Sequence, residues 1–274
     1  VAALAGLGGA GVAHDVVGAM IIRVGIPACF QRFSAVAREI DAPILVSANA
    51  FWRRSRFGLP NNSIFNGADV ALDSAGFVAM ARYWGYRWTL GDYVNLAGRM
   101  RPTWWAAPDY CCEPEIAGNR AEVLERIKRT AFKLDWARQV AVDRGVPPPM
   151  PVLQGWIPDD YLRCAEMIPD LPALVGVGSV CRRQLTGPTG IIRVLSAIDA
   201  SLPRHVKLHL FGVKGAAIAA LAGHPRVLSV DSQAWDFAAR REKEKDGQNF
   251  NFAYRAHHMR RWYAVQRAGL GMFA

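Results

Sequence analysis

Three aspartates and one glutamine, Asp73, Asp109, Gln154 and Asp231, each close or closely follow a short apolar run in this 274-residue sequence. Two carboxylates brought into one place can divide labour. Each raises the other's cost of ionising, so one carries a proton while its partner stays charged as nucleophile or base. Taken singly, any of these aspartates reads better as an N-cap for the helix after its strand. Their joint placement favours chemistry, because other small or polar residues close the remaining runs: Asn49, Ser74, Gly155, the stretch 176–179, Gly212 and Ser232.

The elements that must position these residues are visible as an alternation. Apolar runs at 21–25, 44–48, 70–73, 103–107, 152–154, 174–178, 207–211 and 227–231 read as strands buried on both faces. Amphipathic stretches separate them. The clearest is 120–144, where Val123, Ile127, Ala131, Leu134, Trp136 and Val140 recur on one side; others lie at 159–167, 190–200 and 216–222. The pattern predicts an α/β fold, a (β/α)8 TIM-type barrel over residues 20–274, with its site at the C-terminal ends of the strands. Residues 1–19, rich in Ala, Gly and Val, read as a loosely packed N-terminal extension before a natural start near Met20. The mixed-charge run 240–246 reads as a solvated loop or helix end, and 250–267 as a basic amphipathic helix.

A formal net charge of +10 suits a polyanionic or acidic partner. A hydrophobic fraction of 51% against 20% charged residues excludes a disordered chain. The five cysteines fall at irregular spacing with no Cys-x-x-Cys pair, which suits reduced thiols in a cytoplasm and neither a zinc site nor a disulfide framework. No run is long and apolar enough to span a bilayer.

Six segments, in order, resemble the tRNA-guanine transglycosylases. Val70-Ala71-Leu72-Asp73-Ser74-Ala75-Gly76-Phe77 resembles that family's Asp-Ser-Gly-Gly-Phe segment, with alanine in place of the first glycine. Asp109-Tyr110-Cys111 resembles its Asp-x-Cys, and Val152-Leu153-Gln154-Gly155 its Val-Gln-Gly strand end. Val175-Gly176-Val177-Gly178-Ser179 resembles its glycine-rich strand end, and His209-Leu210-Phe211-Gly212 matches the His-Leu-Phe-Gly of its archaeal branch. Val230-Asp231-Ser232-Gln233-Ala234-Trp235 resembles the segment that carries the nucleophile. Those tRNA enzymes also carry a Cys-x-Cys-x-x-Cys…His zinc site after the nucleophile. No cysteine follows Cys181 here, so that zinc site and its subdomain cannot be built, and His257-His258 reads as a surface or packing pair. A zinc-less form resembles most closely the DpdA-like group, whose members insert 7-deazaguanine bases into DNA, often in phages.

The resemblance implies a DNA-guanine transglycosylase that needs no metal or cofactor. In that reading Asp231 attacks C1′ of a guanosine-type residue, and Asp73 serves as acid and then base. Asp109, Gln154, Gly155, Gly176, Val177, Gly178, Ser74 and Cys111 line the base site, and Phe77 or Trp235 stacks on the base. The expected partners are DNA and a free 7-deazaguanine base, with 7-cyano-7-deazaguanine first; a homodimer or a helper protein is left open. A duplex substrate must extrude its target base. Arg53, Arg54 and Arg56, Arg182 and Arg183, and Arg240 with Arg241 follow strand ends and are candidates to ring the mouth and hold phosphates. Three alternatives stay open: a tRNA-directed enzyme, a non-catalytic partner subunit, and an unrelated barrel hydrolase or lyase using 175–179 to bind a phosphate.

Overall fold

A computed structural model describes residues 20–26, 30–58, 67–247 and 249–271. The expected N-terminal extension, 1–19, lies outside the described residues. In chain order the elements are β1 (Ile21–Ile26), α1 (Phe30–Glu39), β2 (Ile44–Ser47), β3 (Trp52–Arg53), β4 (Arg56–Phe57), β5 (Val70–Asp73), α2 (Gly76–Tyr83) and α3 (Leu90–Met100). There follow β6 (Trp104–Trp105), α4 (Pro114–Ala117), α5 (Arg120–Asp143), β7 (Val152–Leu153), α6 (Pro158–Glu166), β8 (Leu174–Val177) and α7 (Ile191–Ser201). The chain ends through β9 (Lys207–Leu210), α8 (Gly215–Leu221), β10 (Val227–Ser232), α9 (Ala234–Asp246) and α10 (Phe252–Gly269).

Eight of the strands form one parallel sheet in the order β6-β5-β2-β1-β10-β9-β8-β7. Helices alternate with them, as buried parallel strands require. The expected closed (β/α)8 barrel is corrected here: the sheet curls, but its hydrogen-bonded ladder does not close. The end strands β6 and β7 have only two regular residues each, and beyond them the two edges meet in a single bridge, Ala106 with Met150. All eight strand positions read from the sequence are occupied. The hairpin of β3 and β4, and helices α1 to α3, are additions to that reading.

The curl places every strand's C-terminus on one face and fills the interior with side chains. Trp104, Met150, Val152 and Phe211 pack there, and Gly176 leaves the space that Phe211 and Met150 enter. Arg23 is buried among them, bonded through both terminal nitrogens to Asp69 at 2.9 Å, with Trp104 beside its guanidinium. A buried cation is tolerated only with such a partner.

The basic C-terminal helix α10 packs on α9, α8 and α1. Arg260 forks onto Glu39, and Arg255 reaches the buried Asp236 at 2.7 Å. Trp235 is fully buried, edge-on to Phe33 at 5.1 Å, and donates its Nε1–H to the Gly25 carbonyl. It anchors α9 to the sheet and is not available to stack on a ligand. The run 240–246 is the C-terminal half of α9.

Candidate active site

The mouth of the sheet is a cavity of about 1020 Å³ lined by Asp73, Asp109, Cys111, Gln154, Gly178 and Asp231 among others. Asp73 ends β5, Asp231 is the last residue but one of β10, and Asp109 and Gln154 follow the neighbouring ends of β6 and β7. Across the sheet order, β5 and β10 are separated by β2 and β1, so the two acids face the cavity from different sides.

Asp231 is nearly buried. Its Oδ1 accepts the Gly212 N–H at 2.7 Å and lies 3.4 Å from His209 Nε2. His209 is fully buried between Trp104 and Phe211, and its Nδ1 lies 2.8 Å from Ser229 Oγ. Burial pushes the imidazole pKa down, against the pull of Asp231, so the ring is neutral at ordinary pH. With the Ser229 hydroxyl donating to Nδ1, the remaining proton sits on Nε2, which lies near Asp231 without completing a hydrogen bond to it. One carboxylate oxygen is held by the Gly212 N–H.

Asp73 is partly buried, and its Oδ2 accepts the Ala75 N–H at 3.0 Å. Burial first, then the charges of Asp109 and Asp231, raise its pKa from 3.8 to about 7. It is therefore the acid of the site that exchanges a proton near neutral pH. Ala75 has φ of 67°, the left-handed region that favours glycine, which accounts for the glycine at this place in the resembled motif.

Asp109 is held by a chain of donors. Ser74 Oγ donates to its Oδ1 at 2.7 Å, and Gln154 Nε2 donates to its Oδ2. Ser179 Oγ donates to Gln154 Oε1 at 2.6 Å and accepts the Cys112 N–H at 2.7 Å. Tyr86 exchanges hydrogen bonds with the Asp109 backbone on both sides. Burial raises the Asp109 pKa, and the Ser74 and Gln154 bonds oppose that rise. An acceptor fixed beside an amide that both donates and accepts matches a guanine-like edge. Glycine is required beside both: a Cβ on Gly76 would overlap the Asp109 carboxylate, and one on Gly178 the Gln154 amide.

Of the expected base-site residues, Asp109, Gln154, Gly178 and Cys111 line the cavity. Ser74 is buried behind Asp109 and acts on it by hydrogen bonding. Gly155 packs against Asp160, Gly176 faces the sheet interior, and Val177 is fully buried; none of the three lines the cavity.

The arginines divide more sharply. Arg182 lines the cavity, paired with Glu115. Arg183 is buried and donates to the carbonyls of Gly155, Trp156, Ser179 and Thr189 and to Tyr161 Oη, so its guanidinium is used inside the fold. Arg53, Arg54 and Arg56 lie on the β3–β4 hairpin and do not line this cavity. Arg56 instead borders a second one, with Pro102 and Pro147 from the segments that enter β6 and β7. Arg240 pairs with Asp236, its guanidinium 6.0 Å from the Phe237 ring centroid, and does not itself line the cavity, whereas Arg241 does.

Sequence reasoning missed the bracing by His209, Tyr86 and Ser179, and the cavity-lining Lys214, Arg82, Phe237 and Glu113. His209 carried a signal, a polar residue flanked by leucines inside a strand. No three His, Cys, Asp or Glu residues among those described are placed to hold a metal ion, and His258 packs against Tyr254 with ring centroids 4.5 Å apart. No described helix is long and apolar enough to cross a membrane.

Fold and cavity together define an α/β protein whose parallel strands deliver three aspartates and a glutamine to one mouth, the layout of a site at strand C-termini. The family model of DpdA, deoxypurine in DNA protein A, matches residues 33–264, and the chain belongs to that family. The family is involved in 7-deazaguanine modification of DNA, its members are DNA-guanine transglycosylases, and membership implies DNA as the substrate. No curated protein matches the sequence.

Proposed function

We propose that this protein exchanges guanine in DNA for a 7-deazaguanine base by two displacements at C1′. In the first, Asp231 attacks C1′ and forms a glycosyl ester while the N-glycosidic bond breaks and the departing guanine takes a proton from Asp73. In the second, Asp73, now ionised, takes the N9 proton of the incoming base. That nitrogen then displaces Asp231 at C1′, so the sugar configuration is retained and the phosphodiester chain is untouched. Asp109 and Gln154 read the edge of either base, with Cys111 and Gly178 as pocket wall. The incoming base is 7-cyano-7-deazaguanine in this reading.

The observation that carries the proposal is the contrast between the two acids. Asp231 is held through one oxygen by the Gly212 N–H, with the neutral His209 beside it, as suits a nucleophile, whereas burial and its neighbours push Asp73 up to about 7, as suits an acid that must act in both directions. Labelled guanine incubated with the protein and either duplex DNA or tRNA tests it. Label entering DNA supports the proposal, label entering tRNA alone moves the substrate to tRNA, and no label in either removes the transglycosylase reading. Asp231→Ala should lose both exchange and the covalent adduct; an adduct that survives assigns the nucleophile elsewhere.

A further inference from the structure

The acids of this site lie on the floor of a cavity whose rim is basic. Arg82, Lys214 and Arg241 line it, are exposed, and carry no ion pair among the described residues; Arg182 lines it paired with Glu115. Phosphates are drawn to such a rim and repelled from such a floor, which favours a strand that runs across the opening with one nucleotide turned inward.

Two uncharged aromatic residues also stand exposed at the rim, Phe77 at 41% and Phe237 more so. Phe237 is 63% exposed and lines the cavity. A single exposed aromatic on a surface means little. Its setting does: Ala234, Phe237, Ala238 and Arg241 all line the cavity from α9, at the i, i+3, i+4, i+7 spacing of one helix face. Two alanines leave the backbone clear, one aromatic ring projects between them, and a cation follows one turn later. The helix itself is fixed, because its buried face holds Trp235 on Gly25 and Asp236 on Arg255. The ring is thus an exposed apolar surface on a rigid mount, five residues past the end of the strand that carries Asp231.

We infer that Phe237 is a wedge for duplex DNA: it enters the stack at the place vacated by the extruded guanosine, while Arg241 and Lys214 hold the flanking phosphates. This rests on the transglycosylase reading for the identity of the extruded base. An extruded base leaves its neighbours unstacked, and an apolar side chain that fills the gap recovers part of that cost. A single strand has no such gap to fill.

The test compares one oligonucleotide carrying a single target guanine, alone and annealed to its complement. Labelled-guanine exchange is measured with the wild type, Phe237→Ala and Phe237→Trp. Phe237→Ala should lower kcat/KM on the duplex by about 10- to 100-fold, the scale of aromatic–base stacking, with a change of less than about 3-fold on the single strand. Phe237→Trp should restore the duplex rate. Equal losses on both substrates, or none on the duplex, overturn the wedge while leaving the exchange chemistry standing. Extrusion is also read without chemistry, from the fluorescence of 2-aminopurine placed beside the target in the duplex. Wild type should raise that signal on binding and Phe237→Ala should not. An equal rise with both proteins overturns the wedge even if no exchange is detected with either substrate.

Discussion

Replacing Asp73 by asparagine should stabilise the protein at pH 8 while abolishing base exchange. The carboxyl titrates at about 7 in the fold against 3.8 in the open chain, chiefly because it is buried and then because Asp109 and Asp231 lie near. A rise of that size corresponds to about 4 kcal/mol of preference for the neutral form. Water in the cavity and the sharing of protons among three coupled carboxylates reduce what one substitution recovers to about 2 kcal/mol. Below pH 4 Asp73 is neutral both folded and unfolded, and the penalty is absent. Between 4 and 7 the unfolded chain ionises while the folded one keeps its proton, so stability falls as pH rises; above 7 the full penalty applies. Asparagine keeps the shape and the acceptor for the Ala75 N–H, and it has no charge to bury. Thermal unfolding should therefore show Asp73→Asn melting about 4 to 8 °C above the wild type at pH 8 and level with it at pH 4. The reasoning is refuted if the variant melts at or below the wild type at pH 8, or if its advantage is the same at both pH values. In the wild type, formation of the Asp231 adduct in a single turnover should decline above pH 7 as Asp73 loses the proton that the leaving guanine needs.

Gly178→Ala would drive a methyl group into the Gln154 amide, so it should raise KM for the free base by at least about tenfold with a smaller effect on DNA affinity. Arg183→Met takes the guanidinium donor from four carbonyls, two of them in buried bonds, and should cost about 2–4 kcal/mol in denaturant unfolding. Arg182→Met should leave stability within about 0.5 kcal/mol and weaken DNA binding, with a shallower salt dependence in a titration. Ala75→Gly relieves a left-handed alanine and should raise the melting temperature by about 1–3 °C with exchange intact.

What the sequence made legible follows from burial. A parallel strand covered on both faces must be apolar almost throughout, so a polar residue closing the run marks the end that opens on the mouth, and Asp73, Gln154 and Asp231 stand at such ends. Closure of the barrel was not legible, because it depends on how many residues β6 and β7 actually pair, and two residues in each leave only the Ala106–Met150 bridge. Gly155, Gly176 and Val177 misled for a related reason. They stand beside cavity-lining residues in the chain, but Gly155 and Val177 fall on the opposite side from Gln154 and Gly178, and Gly176, on the same side as Gly178, lies two residues deeper against Phe211 and Met150.

The same geometry explains why the basic residues were misplaced. Arg182 and Arg183 are neighbours in sequence, yet one reaches the cavity and the other is spent on carbonyls inside the fold. A chain that turns by one residue changes the direction of the side chain entirely, so runs of like charge cannot be assigned to a surface as blocks. The rim is instead spelled at helical spacing: Phe237 and Arg241 on α9, Val78 and Arg82 on α2. Each pair belongs to the helix that follows one of the two acid-bearing strands, β10 and β5. A strand that ends in one of these acids thus also aims the next helix, and the face of that helix which lines the cavity can be read only once the strand end fixes its phase.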